Sequence, residues 1–366
     1  MRSRAAALAL TLVAIVGGCG GDDDHGPSKV PRSDAAPAPF FGVVAEDVFA
    51  GDAAYRRRTL ARQRATGIGL IRQAFHWDRI ELTPGHYDFR EYDAYMTALA
   101  RAGMDVLPIL FTPPAFRVTQ NAARGTYPPD DPADMAAFAT QLVRRYGPGG
   151  DFWSEHPDLP KHPIRAWQVW NEPNLPVYWP NGPDPKQYVE LLTTVGKAIK
   201  RADAGASVVS AGLSESRQGI PFADFVKGMF AAGAGDTIDV FALHAFAHDT
   251  AGSVGAAETA RKLLSELGSQ APIWITEIGW ASGGPASPFT VGSQGQAERI
   301  RAALEIFRRR RKELGLHGVI YFNWRDAPVY EGGQDFFGLH TGLLDNEGNA
   351  KPALEAYRSV ARRAAD

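Results

Sequence analysis

Cysteine is almost absent from this sequence, since Cys19 is the single one in 366 residues. One cysteine excludes an internal disulfide. An excess of charge is also lacking, because 39 basic residues face 41 acidic ones and leave a formal net charge of −2. This balance gives no reason to expect a nucleic-acid partner or binding to an anionic membrane surface.

Motifs that hold metals or phosphates are lacking too. The nine histidines include no His-Glu-X-X-His spacing and no cluster of metal ligands. No glycine-rich phosphate loop precedes a helix in the context that nucleotide binding requires. The sequence therefore predicts no metal site and no cofactor.

The apolar run near the N-terminus, residues 5–16, is too short to span a bilayer as a helix. It follows Arg2 and Arg4 and precedes two small residues, an arrangement typical of a secretory signal. Residues 16–21 resemble a bacterial lipoprotein cleavage site, with Cys19 directly after the cut as the residue that would be lipidated. A plain signal peptide cleaved nearby is the alternative.

Three regions are expected along the chain. Residues 1–18 are predicted to be a lipoprotein-type signal peptide. Residues 19–38 mix Gly, Pro, Asp, Ala and Ser with almost no large apolar side chain, which predicts a flexible, lipid-anchored linker. Residues 39–366 form the folded domain. The expected location is extracytoplasmic, tethered to a bacterial membrane only through the lipid anchor, or secreted.

From residue 39 onward, strand-like and helix-like patterns alternate eight times. This count predicts a single-domain α/β fold, a (β/α)8 TIM barrel, which holds about 250 residues or more in one domain. The predicted strands cover residues 40–44, 69–74, 105–111, 164–170, 207–210, 239–244, 273–276 and 318–322. The predicted helices cover residues 55–66, 92–102, 132–146, 185–202, 222–232, 256–267, 295–314 and 351–363.

Two of the predicted strands end in a glutamate. The fourth is followed by Asn171, Glu172 and a proline, which cannot continue a strand ladder because it has no N–H. The seventh, a β-branched and aromatic run, ends in Glu277. In a barrel of parallel strands, chemistry takes place at these carboxyl ends. Paired carboxylates are the machinery of glycoside hydrolysis, and two unrelated capping or salt-bridged glutamates are the alternative.

Six side chains are expected together at the carboxyl rim of the barrel. A retaining glycosidase needs an ionised nucleophilic carboxylate, a proton donor about 5 Å away and a cation near the nucleophile. It also needs a hydrogen-bonding partner for the sugar 2-hydroxyl and an aromatic floor for the ring. The rim supplies all five, although each residue taken singly has an ordinary structural explanation. The six are Arg72, Asn171, Glu172, His244, Glu277 and Trp324.

These motifs make the sequence similar to the clan A glycoside hydrolases, retaining enzymes built on the (β/α)8 barrel. Residues 170–174, Trp-Asn-Glu-Pro-Asn, resemble the acid/base motif of the clan, and residues 276–280, Thr-Glu-Ile-Gly-Trp, resemble its nucleophile motif. The resemblance covers most of the chain from Gly42 onward. The Asn-Glu-Pro motif is specific for the clan but weak for choosing a family, and families 5 and 39 are the nearest.

The resemblance implies a role for each rim residue. Glu277 is the expected nucleophile, and Glu172 is the expected acid/base, with a pKa raised by the neighbouring carboxylate. Arg72 is expected to keep Glu277 ionised, Asn171 to bind the 2-hydroxyl, and Trp324 to floor the subsite of the reacting sugar.

The sequence departs from the clan after the sixth strand. Many members carry His-X-Tyr there, with the tyrosine hydroxyl bonded to the nucleophile, whereas this chain has His244-Ala-Phe246. Phenylalanine cannot make that bond. Either another hydroxyl, such as that of Tyr321, takes the role, or Arg72 alone tunes the nucleophile. His244 and Phe246 are still expected to contact the substrate.

Aromatic residues in the loops after the catalytic strands are a second group of candidates. They are expected to line sugar subsites, with ordinary packing as the alternative. They are Tyr178, Trp179 and Trp280, together with Phe246.

The sequence thus predicts an enzyme, a retaining glycosidase that cleaves β-glycosidic bonds of an oligo- or polysaccharide. A carbohydrate-binding barrel that has lost catalysis and a transglycosylase with the same covalent intermediate are the alternatives. A carbohydrate is the expected partner of a chain that is expected to act as a monomer.

Overall fold

The computed structural model describes residues 39–119, 127–216, 218–329 and 333–364. The predicted signal peptide, the linker and the lipidation site Cys19 lie outside these ranges. Within the described residues, no helix combines the length and the apolar character needed to cross a membrane.

Eight parallel strands form the barrel wall, at the positions predicted from the sequence. Each predicted strand overlaps an observed one, with ends that differ by at most two residues. The strands are β1 (Phe41–Val44), β2 (Leu70–His76), β3 (Asp105–Phe111), β4 (Ala166–Val169), β5 (Ser207–Val209), β6 (Phe241–His244), β7 (Ile273–Glu277) and β8 (Leu316–Tyr321).

A helix follows each strand, as predicted, and packs on the outside of the sheet. The helices are α1 (Ala53–Thr66), α2 (Arg90–Ala102), α3 (Pro132–Tyr146), α4 (Pro185–Ala202), α5 (Phe222–Ala231), α6 (Thr250–Glu266), α7 (Gly292–Arg309) and α8 (Pro352–Ala361). Shorter elements that the sequence did not predict are the helices Glu46–Ala50, Trp77–Ile80 and Asp151–Glu155, the hairpin of Glu81–Thr83 with His86–Tyr87, and the strand Leu213–Ser214.

The sheet closes through the region of β5. The parallel pairing runs β5, β4, β3, β2, β1, β8, β7, β6 and then the short strand Leu213–Ser214. The first and last strands of this series, β5 and Leu213–Ser214, lie only a few residues apart in the chain. An additional bridge joins Val209 at the end of β5 to Val240 beside β6. The closed series of eight βα units confirms the predicted (β/α)8 barrel.

Two apolar cores support the wall. A small one fills the barrel interior, and a large one lies between the sheet and the helices. Each fully buried large apolar side chain contributes about 1.5–3 kcal/mol relative to exposure. The interior core consists of Val44, Leu70, Leu107, Val209, Val240, Ala242, Trp274 and Ile320.

Local sequence signals explain the helix ends. Asp52 and Asp184 lie at the N-caps of α1 and α4, where their carboxylates accept backbone N–H groups of the first turn. Pro185 occupies the first turn of α4, where a missing N–H costs nothing. Gly67 and Gly103 end α1 and α2 in the left-handed conformation, with φ of 93° and 65°.

Candidate active site

The carboxyl rim of the barrel brings together the polar residues that the sequence predicted there. Arg72 lies in β2, Asn171 and Glu172 follow Trp170 just after the end of β4, His244 ends β6, and Glu277 ends β7. Because the strands are parallel, their carboxyl ends meet at one edge of the barrel. Hydrogen bonds and ion pairs join all five residues into one network.

Arg72 lies at the centre of this network and is 2% exposed. Its Nη1 donates to Oε1 of Glu277 at 2.6 Å, and its Nη2 donates to Oδ1 of Asn171 at 2.8 Å. Its Nε donates to Oε1 of Gln168 at 2.7 Å. The guanidinium thus holds residues from two other strands in place, as its planar fork of donors allows. Gln168, an inward-facing residue of β4, was missed by sequence reasoning, since no motif distinguishes it.

The His244 imidazole lies between the two carboxylates. Its Nδ1 is 2.9 Å from Oε1 of Glu172, and its Nε2 is 3.5 Å from Oε1 of Glu277. The ring is fully buried. In the hydrogen bond to Glu172, either partner is able to carry the proton, because the role of Nδ1 depends on the tautomer. The two glutamates are therefore linked through one imidazole.

The pKa of the Glu172 carboxyl lies below its ordinary value, contrary to the expectation from the sequence. Burial raises this pKa, but the charge and hydrogen bond of His244, a hydrogen bond from Ser214 and the charge of Arg72 outweigh the burial. The sequence argument counted the neighbouring carboxylate alone. In the substrate-free site, His244 from β6 and Ser214 from the Leu213–Ser214 strand lower the Glu172 pKa instead.

The backbone around Glu172 is strained. Trp170 and Glu172 adopt left-handed conformations, with φ of 73° and 41°, which side-chain-bearing residues rarely take. Such residues cost about 1–3 kcal/mol each and occur at functional sites when the surroundings enforce them. Here the Glu172 N–H donates to the Gly212 carbonyl at 3.0 Å, and the Trp170 N–H donates to the Leu110 carbonyl at 3.2 Å.

Trp324 does not floor the site, which corrects the sequence prediction. Its side chain is fully buried and belongs to the core between sheet and helices. The reason is that β8 ends at Tyr321, so the alternation of faces does not continue to residue 324. Phe322 is partly exposed instead and packs on the core inside the barrel. Phe322, which follows β8 directly, is thus the aromatic residue at this strand end that faces the site.

Two of the predicted loop aromatics are also interior residues. Trp179 and Trp280 are 2% and 1% exposed, so their faces are not available to a sugar, and the packing alternative holds for both. The Trp280 Nε1 donates to the Ala247 carbonyl at 2.8 Å and ties the loops after β6 and β7 together. Tyr178 and Phe246 are partly exposed at the rim, as a subsite lining requires.

Tyr321 does not replace the missing tyrosine of β6. Its hydroxyl donates to the Thr341 carbonyl at 2.8 Å, and its ring is buried in the outer core. Arg72 donates a hydrogen bond to the Glu277 side chain at 2.6 Å. The second alternative stated for the nucleophile, tuning by Arg72, therefore matches the geometry, with the His244 Nε2 nearby.

A group of phenylalanines lies beside the site, which sequence reasoning missed because its members come from separate loops. Phe246 lies edge-on to Phe322 and Phe337, with ring centroids 6.0 and 5.9 Å apart. Phe289 stacks on Phe337 at 4.4 Å. We call these four residues the phenylalanine wall. In the described part of the chain, no group of three His, Cys, Asp or Glu side chains is placed to hold a metal ion.

Comparison with known proteins finds no matching family model and no match among curated proteins. Solved structures do match. A family 39 glycoside hydrolase from the gut symbiont Bacteroides cellulosilyticus WH2 aligns with a TM-score of 0.67 and 20% identity, over 89% of this chain and 63% of that one. This chain therefore spans less than two thirds of the length of that protein.

Two further structures have comparable similarity. A monomeric beta-xylosidase from Caulobacter crescentus CB15 aligns with a TM-score of 0.65 and 17% identity, over 88% of this chain and 68% of that one. A GH5_18 protein from Streptomyces cattleya, in complex with GlcNAc, aligns with a TM-score of 0.64 and 19% identity, over 90% of this chain and 81% of that one. The chain thus has the fold of the family 39 and family 5 glycoside hydrolases of clan A, as the resemblance predicted.

Proposed function

We propose that the protein is a retaining O-glycoside hydrolase that cleaves β-glycosidic bonds by double displacement. The observation that carries the proposal is the network on the rim. Glu172 and Glu277 leave different strands and reach opposite nitrogens of the His244 ring, while Arg72 pairs with Glu277 at 2.6 Å. Two carboxylates on either side of a bound glycosidic bond are the arrangement that this reaction needs.

Glu277 is the nucleophile in the first step. A carboxylate oxygen of Glu277 bonds to the anomeric carbon as the bond to the glycosidic oxygen breaks, and that oxygen takes the proton of Glu172. The Arg72 guanidinium pairs with the Glu277 carboxylate at 2.6 Å and orients it for the attack. Asn171, whose Oδ1 is engaged by Arg72, donates from its amide NH2 group to the 2-hydroxyl.

Glu172 acts as a base in the second step. It takes a proton from water, the water oxygen bonds to the anomeric carbon, and the ester bond to Glu277 breaks. Two inversions give net retention. The hydrogen bond between Glu172 and His244 gives the site a second atom, Nδ1, that is able to hold the proton before the first step and again after the second.

The fold and the motifs support the proposed glycosidase activity, but they do not identify the sugar that is cleaved. The structural neighbours include a protein titled a beta-xylosidase and another in complex with GlcNAc, and identities of 17% and 19% do not carry substrate choice across. An acceptor other than water would make the same intermediate a transglycosylation.

The stereochemistry of the first product tests this proposal. Aryl β-glucosides, β-xylosides, β-mannosides and β-galactosides with an activated leaving group are incubated with the protein, and the first anomer formed is identified by NMR. We expect the β-anomer, and we expect Glu277→Gln to abolish turnover. Glu190→Gln, which changes an exposed carboxylate on α4, is the matched control and keeps wild-type activity. A first-formed α-anomer, or full activity in Glu277→Gln, would contradict the mechanism.

A further inference from the structure

A cleft of about 270 Å³ opens beside the acid/base end of the network. Its walls come from the ends of the Leu213–Ser214 strand and of β6, and from helices α5 and α6. Apart from His244 and Phe246, none of its lining residues has a role assigned above. The lining residues are Glu215, Phe222, Leu243, His244, Phe246, Ala247, Gly252, Ala256 and Thr259.

The position of the cleft assigns it to the leaving group. The proton of Glu172 must reach the glycosidic oxygen, so the departing group lies on the Glu172 side of that bond. The two side chains that hydrogen-bond Glu172 are Ser214 and His244. The cleft is lined by His244 itself and by Glu215, which follows Ser214 directly.

The lining is predominantly apolar. Only Glu215, Thr259 and His244 carry polar side-chain atoms, and the His244 Nδ1 is already engaged by Glu172. Glu215 and Thr259 lie at the exposed mouth. A sugar in this cleft would lose water from several hydroxyls without gaining partners, and each unpaired polar group costs about 1–3 kcal/mol. An apolar group meets no such penalty.

The apolar surface continues beyond the cleft. Phe246 belongs both to the cleft and to the phenylalanine wall, so the two surfaces are joined.

Five large apolar side chains of the described residues are strongly exposed, and all five lie in segments that follow barrel strands at the carboxyl rim. They are Leu82, Phe116, Val177, Val329 and Phe336.

We propose that the cleft binds an apolar aglycone, an alkyl or aryl group attached to the sugar, in place of the sugar leaving group expected from the sequence. This rests on the proposed glycosidase function. The natural substrate class is then an amphipathic glycoside, with its sugar over Arg72 and Glu277 and its apolar part between α5 and α6.

Equilibrium binding separates this proposal from the hydrolysis itself. The affinities of methyl, butyl and hexyl β-glucosides and β-xylosides for the Glu277→Gln variant are measured by calorimetry, below micelle-forming concentrations. We expect the affinity to rise with chain length, by up to about fourfold for each buried methylene. Cellobiose and xylobiose, which offer a second sugar in β-linkage, gain no such increment.

Variants on α6 locate the binding surface. Ala256→Glu places a charge in the cleft and is expected to weaken hexyl glycoside binding about tenfold, and Ala256→Leu, which fills the space without a charge, is expected to reduce the gain from butyl to hexyl. Ala251→Glu adds the same charge to the same helix at an exposed position outside the cleft, so it leaves the affinities unchanged. Melting curves check that each variant is folded.

Either of two results overturns the proposal: affinities that do not depend on chain length, including no binding at all, or an equal effect of Ala256→Glu and Ala251→Glu. A third result would separate the two proposals. If affinity depends on chain length, Ala256→Glu removes that dependence and the protein hydrolyses no glycoside, the apolar site is kept and the glycosidase is rejected. Hydrolysis without chain-length dependence would keep the glycosidase and reject the apolar site.

Discussion

The imidazole of His244 occupies the space in which a side chain at Gly212 would lie. A Cβ built on Gly212 would be 2.0 Å from the Nε2 of His244 and 2.3 Å from its Cδ2, closer than any real contact. The Gly212 carbonyl also accepts the Glu172 N–H. A glycine is therefore required here for the ring to reach both carboxylates.

Gly212→Ala is expected to displace the imidazole and lower kcat/KM by about 100-fold or more. Overpacking of this kind costs about 1–3 kcal/mol, which leaves the barrel folded. A double-mutant cycle checks the cause: in a His244→Ala background, which removes the ring, Gly212→Ala should have almost no further effect. Equal losses in both backgrounds would mean that Gly212 acts through something other than the imidazole.

His244→Asn is expected to raise the pKa of Glu172. The variant removes the imidazole whose electrostatic interaction and hydrogen bond oppose the effect of burial on this carboxyl, so burial then dominates. The acid form of Glu172 is lost as the pH rises through its pKa, so the falling limb of the kcat/KM profile should move to higher pH than in the wild type. The profile is measured with an alkyl glycoside, whose poor leaving group needs the proton.

The matched control for this profile is an activated aryl glycoside, whose aryloxide departs without protonation. Its kcat/KM profile should not show the falling limb in either protein. A limb that stays in place, or that moves to lower pH in His244→Asn, would rule out His244 as the group that lowers the Glu172 pKa.

Arg72→Lys is expected to lower kcat/KM by about 100- to 1,000-fold, the range for loss of one preorganised donor. A single ammonium cannot span the three acceptors that the guanidinium contacts on Gln168, Asn171 and Glu277. Arg79→Lys is the control, because its pair with Glu91 lies at the surface and contributes little. Near wild-type activity in Arg72→Lys would show that charge alone suffices.

Glu81→Gln is expected to destabilise the fold in a pH-dependent way. Burial raises the pKa of Glu81, but hydrogen bonds from Arg117, the Gly85 N–H and Trp77 outweigh it and lower this pKa below its ordinary value of 4.5. A lowered folded-state pKa contributes stability that is present above 4.5 and is lost as the pH falls through the folded-state pKa.

The free energy of unfolding should therefore be about 1–3 kcal/mol lower in Glu81→Gln at pH 7, and the difference should shrink as the pH falls below 4.5. Denaturant titrations at several pH values measure it. Glu91→Gln, at the exposed Arg79 pair, should change the stability by less than about 1 kcal/mol. A difference that stays constant down to pH 3 would contradict the assignment.

The barrel and the two glutamates were predictable because they depend on local patterns. Strand periodicity, glycine at helix ends and a proline after Glu172 are visible in the sequence, and parallel topology places strand ends on one rim. The roles of Glu172 and Glu277 remain predictions that biochemical experiments have to test.

The site's finer features were not predictable from single strands. Whether Phe322 or Trp324 faces the sugar depends on where β8 ends, and strand boundaries are the least certain part of a sequence prediction. The lowered pKa of Glu172 depends on Ser214 and His244, which reach it from other elements. The phenylalanine wall unites side chains from three loops, which only the folded chain brings together.

Covalent trapping of Glu277 tests the central claim most directly. The protein is incubated with 2-deoxy-2-fluoro glycosyl fluorides of β-glucose, β-xylose, β-mannose and β-galactose, and its intact mass is recorded. We expect one of them to add a single fluoroglycosyl mass that maps to Glu277, is retained in Glu190→Gln and is absent from Glu277→Gln. An adduct on any other residue, or efficient hydrolysis by Glu277→Gln, would contradict the account.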